Sequence, residues 1–202
     1  MTSIDERKAA LRTSALAARR AAFARADAGE RADAVAATGL QIAGQHGARS
    51  VSAYLPIKGE LDTGPLITAL HGAGVTIALP VVVGAGQALE LRAWAPGEPL
   101  EKRAFGIPEP IERTLISPDL LFVPLVAFDA TCYRLGYGGG FYDRTLAALA
   151  QARGKQPPAY GIAFREQYVE DLPHGPHDVQ LSGIITPEGL RQPSRVDGQD
   201  MN

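Results

Sequence analysis

An α/β layer fold organised on a largely parallel sheet is what this 202-residue chain predicts, and three observations carry it. Short apolar β-type runs alternate with alanine- and leucine-rich helical segments, the order that builds βαβ units with helices laid on sheet faces. Two of those runs, Val75 to Val83 and Leu120 to Phe128, are almost free of polar residues, as strands covered on both faces are. A glycine-rich loop then separates the second run from a helical pattern, and strand–loop–helix junctions of this kind bind anions. Neither an internal repeat nor an interdomain linker is visible, so residues 1–192 read as a single domain and residues 193–202 as a polar C-terminal tail.

In chain order, residues 3 to 27 predict a helix: Ser3 suits the N-cap, Asp5 and Glu6 suit the first turn, and alanine and leucine fill it until Gly29. Its apolar positions are mostly alanine, which places it on a surface. Lys8 and Arg12 lie four apart and share a face. Two like charges at that spacing cost a few tenths of a kcal/mol, whereas one charged hydrogen bond to a phosphate returns about 1.5 to 3 kcal/mol. A solvated basic face is the plain alternative. A second amphipathic helix covers Glu30 to Gln45, followed by a short strand, Ser50 to Leu55, closed by Pro56. The loop IKGELDT brings Lys58, Glu60 and Asp62 before a helix from Pro65 to Leu70. Read alone, Glu60 and Asp62 fit helix caps or solvated turn positions. They also follow the carboxyl end of a strand, where open α/β sheets place ligands.

Val75 to Val83 predicts a buried parallel strand, and ALELRAW a half-exposed one. PGEPLEKRAFGIPEP holds too many prolines and glycines for regular structure and reads as an ordered loop over the site. Trp94 fits the core better than a ligand surface, and Phe105 fits either. After the glycine loop come a helix from Tyr142 to Ala152, a strand in PPAYGIAF, a short helix or turn from Arg165 to Leu172, and a last strand in VQLSGII. In HGPHD, the proline and glycine between His174 and His177 deny the i, i+4 geometry that converges two imidazoles with Asp178 on zinc.

The chemistry concentrates in RLGYGGGFYDR, Arg134 to Arg144. Gly136, Gly138, Gly139 and Gly140 free the backbone to take positive φ and to bring N–H groups against an anion at a helix N-terminus. The flanking arginines suit phosphate oxygens. Asp143 would be repelled there unless a cation lay between, and Mg²⁺ takes such hard oxygen ligands. The run is neither GxxxxGK[ST] nor GxGxxG, so the common nucleotide motifs do not apply, and a turn that merely joins strand to helix is the alternative.

Composition narrows the function. A formal net charge of -2 argues against a nucleic-acid partner. The single cysteine, Cys132, excludes an intrachain disulfide and fits a reducing compartment, where a small buried filler is the commoner role for it than a reactive thiol. No apolar run is long enough for a membrane span and the N-terminus lacks a signal-peptide pattern, so a cytoplasmic location is expected.

VPLVAFD followed by RLGYGGGFYDR resembles the signature of the 5-formyltetrahydrofolate cyclo-ligase (5,10-methenyltetrahydrofolate synthetase) family. The resemblance extends to YLPIKGELDT, FGIPEP, Lys8 and Arg12, and HDVQLSGIIT, in the family's order. It implies a three-layer fold similar to that of sugar-phosphate isomerases and CoA transferases, and ATP-dependent closure of 5-formyltetrahydrofolate to 5,10-methenyltetrahydrofolate; a monomer is expected. It implies ATP contacts from Lys8, Arg12 and the loop Arg134, Leu135, Gly136, Tyr137, Gly138, Gly139, Gly140, Phe141 and Tyr142. Reduced-folate contacts are implied at Leu55, Glu60, the loop glycines and Tyr142, and Mg²⁺ at Asp143 and Asp178. Catalytic work falls on Arg134, Tyr142 and Asp143. The chain departs from the pattern at Cys132 and Leu125, where glycine is common, and at Phe141, where tyrosine is frequent; the first two bear on backbone shape. A sugar-phosphate isomerase of the same fold, or a phosphate-sensing domain, are the rival readings. The second would call for a recognition helix that the alanine-rich N-terminal helix does not offer.

Overall fold

A computed structural model describes residues 3–25, 27–102 and 106–194; Phe105 and residues 195–202 of the expected tail lie outside them. Two helices, α1 (Ile4–Phe23) and α2 (Ala28–Gln45), precede β1 (Ser50–Ser52), α3 (Gly64–Gly72), β2 (Thr76–Val81) and β3 (Glu90–Ala93). Then come β4 (Leu100–Lys102), β5 (Pro108–Pro110), β6 (Leu120–Pro124), β7 (Ala127–Phe128) and β8 (Arg134–Leu135). The chain ends with α4 (Phe141–Arg153), β9 (Ala159–Ile162), a 3₁₀ turn at Arg165–Gln167, β10 (Gly183–Thr186) and β11 (Gly189–Arg191).

Seven strands form one sheet in the order β11-β10-β9-β6-β1-β2-β3. The five inner strands run parallel, with Val51 of β1 opposite Ile77 of β2 on one side and Leu120 of β6 on the other. Both edge strands are antiparallel. From β1 the chain travels outward to β2, then returns to lay β6, β9 and β10 on the other side. This reversal makes a topological switch point between the carboxyl ends of β1 and β6, where open sheets bind ligands.

Alternation along β6 explains its unbroken apolar sequence. Leu120 and Phe122 face Val35 and Ile42 of α2 and Leu66 and Leu70 of α3. Leu121 and Val123 face Leu146 of α4 on the opposite side. Three layers result, as the resemblance implied. Helix α1 stands outside them. Its Ser3–Glu6 capping box fixes its start, and Ala15 sits on Val126, Ala127 and Leu135 of the β7–β8 hairpin, where small side chains allow close approach.

Several expectations need correction. Helix α1 ends at Phe23, not residue 27. The run Leu120 to Phe128 is two strands, because β6 ends at Pro124 and residues 127–128 pair with β8 instead, carrying the chain over the sheet's end. PGEPLEKRAFGIPEP does contain regular structure: β4 and β5 form an antiparallel ribbon. Its prolines occupy alternate positions of a short edge strand, where a missing N–H costs no ladder bond. Strand β2, by contrast, is the buried strand expected and pairs in parallel with β1, with β3 antiparallel on its other side. Strand β11 was not anticipated; Gly189, at φ 123, turns the chain back onto β10.

Candidate active site

The carboxyl ends of β1, β2 and β6 open into a cavity of about 340 Å³. Tyr54 and Leu55 follow β1, Pro80 and Val82 close β2, and the β5 ribbon supplies Ile107 and Glu109. The glycine loop and the first turn of α4 form the remaining wall. Most of this lining is apolar, as small-molecule sites are.

Gly140, at φ 62, is the N-cap of α4, and Gly138 stands at φ 104. Both conformations strain any residue with a Cβ. Among the described residues no side chain caps the α4 N-terminus. Its first-turn N–H groups therefore remain available, at the positive end of the helix dipole, to an anion held by the loop. From α1, Arg12 Nε donates to the Gly136 carbonyl at 2.9 Å, and its guanidinium lies 3.5 Å from where a Gly138 Cβ would be. Lys8 Nζ reaches Asp178 Oδ2 at 2.6 Å. Burial alone would raise the Asp178 carboxyl, but the hydrogen bonds from Lys8 and Gly175 outweigh it and hold the group below the usual aspartate range. Arg134 donates to Asp143 Oδ1 at 2.8 Å and to the Val179 carbonyl at 2.8 Å, while Val179 N donates back to Asp143 Oδ1 at 3.0 Å. The two aspartates thus arrive on adjoining segments, each already paired with a cation. Arg144, at the far end of the loop, donates to the Gly139 and Gln87 carbonyls and lies over the Phe141 ring.

Glu60 occupies the cavity side and is 4 % exposed. Its Oε2 accepts from Ile57 N at 3.0 Å, and its Oε1 accepts from the Tyr137 hydroxyl at 3.0 Å. Arg19, fully buried in α1, donates to that same hydroxyl at 2.7 Å and stands 3.6 Å from Glu60. Burial raises the Glu60 carboxyl, with Ile57, Arg19 and Tyr137 opposing it. The hydroxyls of Tyr54 and Tyr142 are buried without a hydrogen-bond partner among the described residues, and burial pushes both phenols up.

The expected site residues therefore separate into groups. Lys8, Arg12, the loop glycines, Phe141, Asp143 and Asp178 come together around the α4 N-terminus. Leu55, Glu60 and Tyr142 line the adjoining cavity. Tyr137 belongs with Glu60 through its hydroxyl. The Leu135 side chain packs under α1, leaving its main chain to the loop. Arg134 is 6 % exposed and braced between Asp143 and Val179, the position of a strut beneath the loop. Asp62 caps Gly64 N at 2.9 Å, as the plain reading had it. Trp94 packs against the core, and His174 stacks on Tyr133 at 3.7 Å. Sequence reasoning missed Arg19, one of two adjacent arginines on an alanine-rich helix. It also missed Tyr54 and Glu109, whose burial depends on elements distant in the chain.

Comparison with known proteins agrees with this geometry. The family model described as the 5-formyltetrahydrofolate cyclo-ligase family matches residues 4–187. A 5-formyltetrahydrofolate cyclo-ligase of Escherichia coli K12 is 41 % identical over 146 residues, covering 69 % of this chain and 79 % of that protein. The corresponding protein of Mycolicibacterium smegmatis is 33 % identical over 162 residues, 75 % of this chain and 78 % of its own. Among solved structures, the 5,10-methenyltetrahydrofolate synthetase of Aquifex aeolicus superposes with a TM-score of 0.70 at 28 % identity, over 96 % of both chains. That of Mycoplasma pneumoniae gives 0.70 at 25 % identity, over 90 % of this chain and 99 % of the other. With the match running from the first turn of α1 to the end of β10, and the loop, its cations and the cavity all inside it, this chain belongs to the 5-formyltetrahydrofolate cyclo-ligase family.

Proposed function

We propose that the chain closes 5-formyltetrahydrofolate to 5,10-methenyltetrahydrofolate at the expense of ATP, with the triphosphate on the glycine loop and the reduced pterin in the cavity beside it. One observation carries the assignment of the two subsites: an uncapped helix N-terminus flanked by Lys8 and Arg12 opens onto the same cleft as an apolar cavity holding the buried carboxylate Glu60.

A formamide carbonyl resists attack because its nitrogen donates into it, and hydroxide is a poor leaving group. The formyl oxygen attacks the γ-phosphate, ADP leaves, and N10 then adds to the activated carbon and gives up its proton as phosphate departs. The main-chain amides from Gly136 to Phe141, with Arg12 and Lys8, spread over phosphate oxygens and stabilise charge as it moves. Tyr142 offers the substrate a hydroxyl that has no partner among the described residues, and Glu60 accepts from the amino and ring N–H donors of the pterin. Arg134 holds the loop and Asp143 in register.

The donor set also suits Mg²⁺, which typically takes one or two protein carboxylates together with substrate phosphates. Among the described residues the hydrogen bonds of Asp143 fall on Oδ1 and those of Asp178 on Oδ2, so these two carboxylates would hold the ion. When bound, Mg²⁺ neutralises phosphate charge and aligns the leaving group. Because one chain supplies both subsites, a monomer suffices. No helix among the described residues is long and apolar enough to cross a membrane, and the free Cys132 suits the reducing cytoplasm.

The test is an absorbance assay for the methenyl product with and without ATP and Mg²⁺. Product is expected only when both are present. Isomerisation of a sugar phosphate without ATP would overturn the reading.

A further inference from the structure

Glu109 lies in the middle of β5, between two prolines, and is 1 % exposed. Its Oε1 accepts a hydrogen bond from Val82 N at 3.1 Å, just past the end of β2. Its Oε2 is buried with no hydrogen-bond partner among the described residues, and the residue lines the cavity. A carboxylate oxygen accepts, so the partner that fits it is a donor, and a buried acceptor left without one is destabilising.

The cavity already holds one buried acceptor, Glu60, carried by the loop after β1. Glu109 arrives from a different element, so the pocket offers carboxylate oxygens from two places on its wall, with apolar surface such as Leu79 and Leu89 completing it. A ligand that satisfies both brings N–H donors on two edges of an otherwise flat, apolar body. A pterin has its 2-amino group and N3–H on one edge. A second ring donor, N8–H, exists only when the bond between C7 and N8 is reduced. N5 of the substrate carries the formyl group, and N10 must stay free to close the new ring.

Resting on the reduced-folate reading above, we propose that Glu109 is a specificity-determining residue whose Oε2 accepts the N8–H of the reduced pterin while Glu60 takes the amino edge. The cavity then selects reduced folates over the fully oxidised ring, because in the latter N8 is itself an acceptor and meets the carboxylate with no proton between them.

The pair 7,8-dihydrofolate and folic acid isolates this contact, since the two differ only by hydrogens on C7 and N8. Titrated against the full chain by calorimetry, dihydrofolate is expected to bind about 10-fold tighter or more, the scale of one hydrogen bond to a charged acceptor. Glu109→Gln keeps the side chain's shape but must present an N–H either to the ligand or to Val82. It is expected to abolish that preference and raise KM for 5-formyltetrahydrofolate about 10-fold, with KM for ATP unchanged. Equal affinity for the two probes, binding of neither, or a fall in kcat at constant KM overturns the proposal. The wild-type titration decides even if the variant fails to fold. A preference that stands while no methenyl product forms would sink the reaction assignment and leave Glu109 in place; product without preference would sink Glu109 alone.

Discussion

The two halves of the cleft handle polar groups in opposite ways. At the loop, charges are already matched: Lys8 with Asp178 at 2.6 Å, Arg134 with Asp143 at 2.8 Å, Arg12 with the Gly136 carbonyl at 2.9 Å. In the cavity, Tyr54, Tyr142 and Glu109 each keep a buried oxygen with no partner among the described residues, and burial raises the Glu60 carboxyl despite Ile57, Arg19 and Tyr137. A loop built for a highly charged guest gains from dipoles and ion pairs fixed in advance, because nothing then has to reorganise as charge moves. A cavity built for a neutral ring gains from acceptors and hydroxyls that only the ring satisfies, because a wrong ligand leaves them unpaired. Substitutions at the loop should therefore act on turnover, and substitutions in the cavity on substrate affinity.

The sharpest way to break this contrast is Asp143→Asn. The amide still accepts from Arg134 and Val179 N, so the fold should survive, while turnover falls about 10²- to 10³-fold, the usual effect of removing one electrostatic stabiliser. Steady-state kinetics with a circular-dichroism control measure it. An unfolded protein, or full Mg²⁺-dependent turnover, would mean that Asp143 does no more than brace Arg134. Next comes Arg19→Met, which leaves Glu60 buried without the cation 3.6 Å away. Breaking a buried pair from one side costs at least about 3 kcal/mol. Urea unfolding should show that loss, together with a raised KM for the folate and little change in KM for ATP.

A smaller effect separates the halves by pH. The Asp178 carboxyl sits below its ordinary value, so its contribution to stability is complete above the normal aspartate range, about pH 4, and is lost as pH falls through the lowered folded value. Glu60 behaves in reverse. Its folded value is raised, so its contribution is complete below the ordinary glutamate range and declines as pH rises through the folded value. Lys8→Met should flatten the acid limb by less than about 1 kcal/mol, since solvent screens a partly exposed pair, and Glu60→Gln should remove the opposing slope. Urea midpoints between pH 3 and 7 give both, and an unchanged acid limb in Lys8→Met would detach Lys8 from Asp178 in solution.

What was legible in the sequence follows from how local each signal is. Strands such as Leu120 to Val123 announce burial on both faces in their own residues, and four glycines between arginines announce a loop that needs positive φ just ahead of a helix, as Gly138 and Gly140 show. Lys8 and Arg12 were identified by resemblance, their spacing alone fitting a solvated face equally well. The β7–β8 hairpin was hidden because Leu120 to Phe128 is uniformly apolar, and only the pairing of Ala127 with Leu135 shows where one strand ends. Arg19 and Glu109 were hidden for a stronger reason. Nothing in an alanine helix or in a PEP tripeptide says that another part of the chain will close over it, so a buried charge reads locally as a solvated one.

The least of the expected effects concerns Cys132, in the turn that joins β7 to β8 and feeds the loop. It stands at φ 62, the left-handed conformation that favours glycine, and it is 1 % exposed. Burial first, then the Asp129 carboxylate, pushes its thiol up to about 11. At pH 8 only about 0.1 % would be thiolate, and a disulfide reagent would have to enter the core to meet it. Native protein should therefore resist labelling that goes to completion once it is unfolded. Cys132→Gly relieves roughly 1 kcal/mol of backbone strain and gives up a small buried contact of similar worth, so stability should shift by less than about 1 kcal/mol with KM for ATP unchanged. Rapid labelling of the native chain would instead show that this turn opens, and that the loop's rigidity does not extend back to the hairpin that carries it.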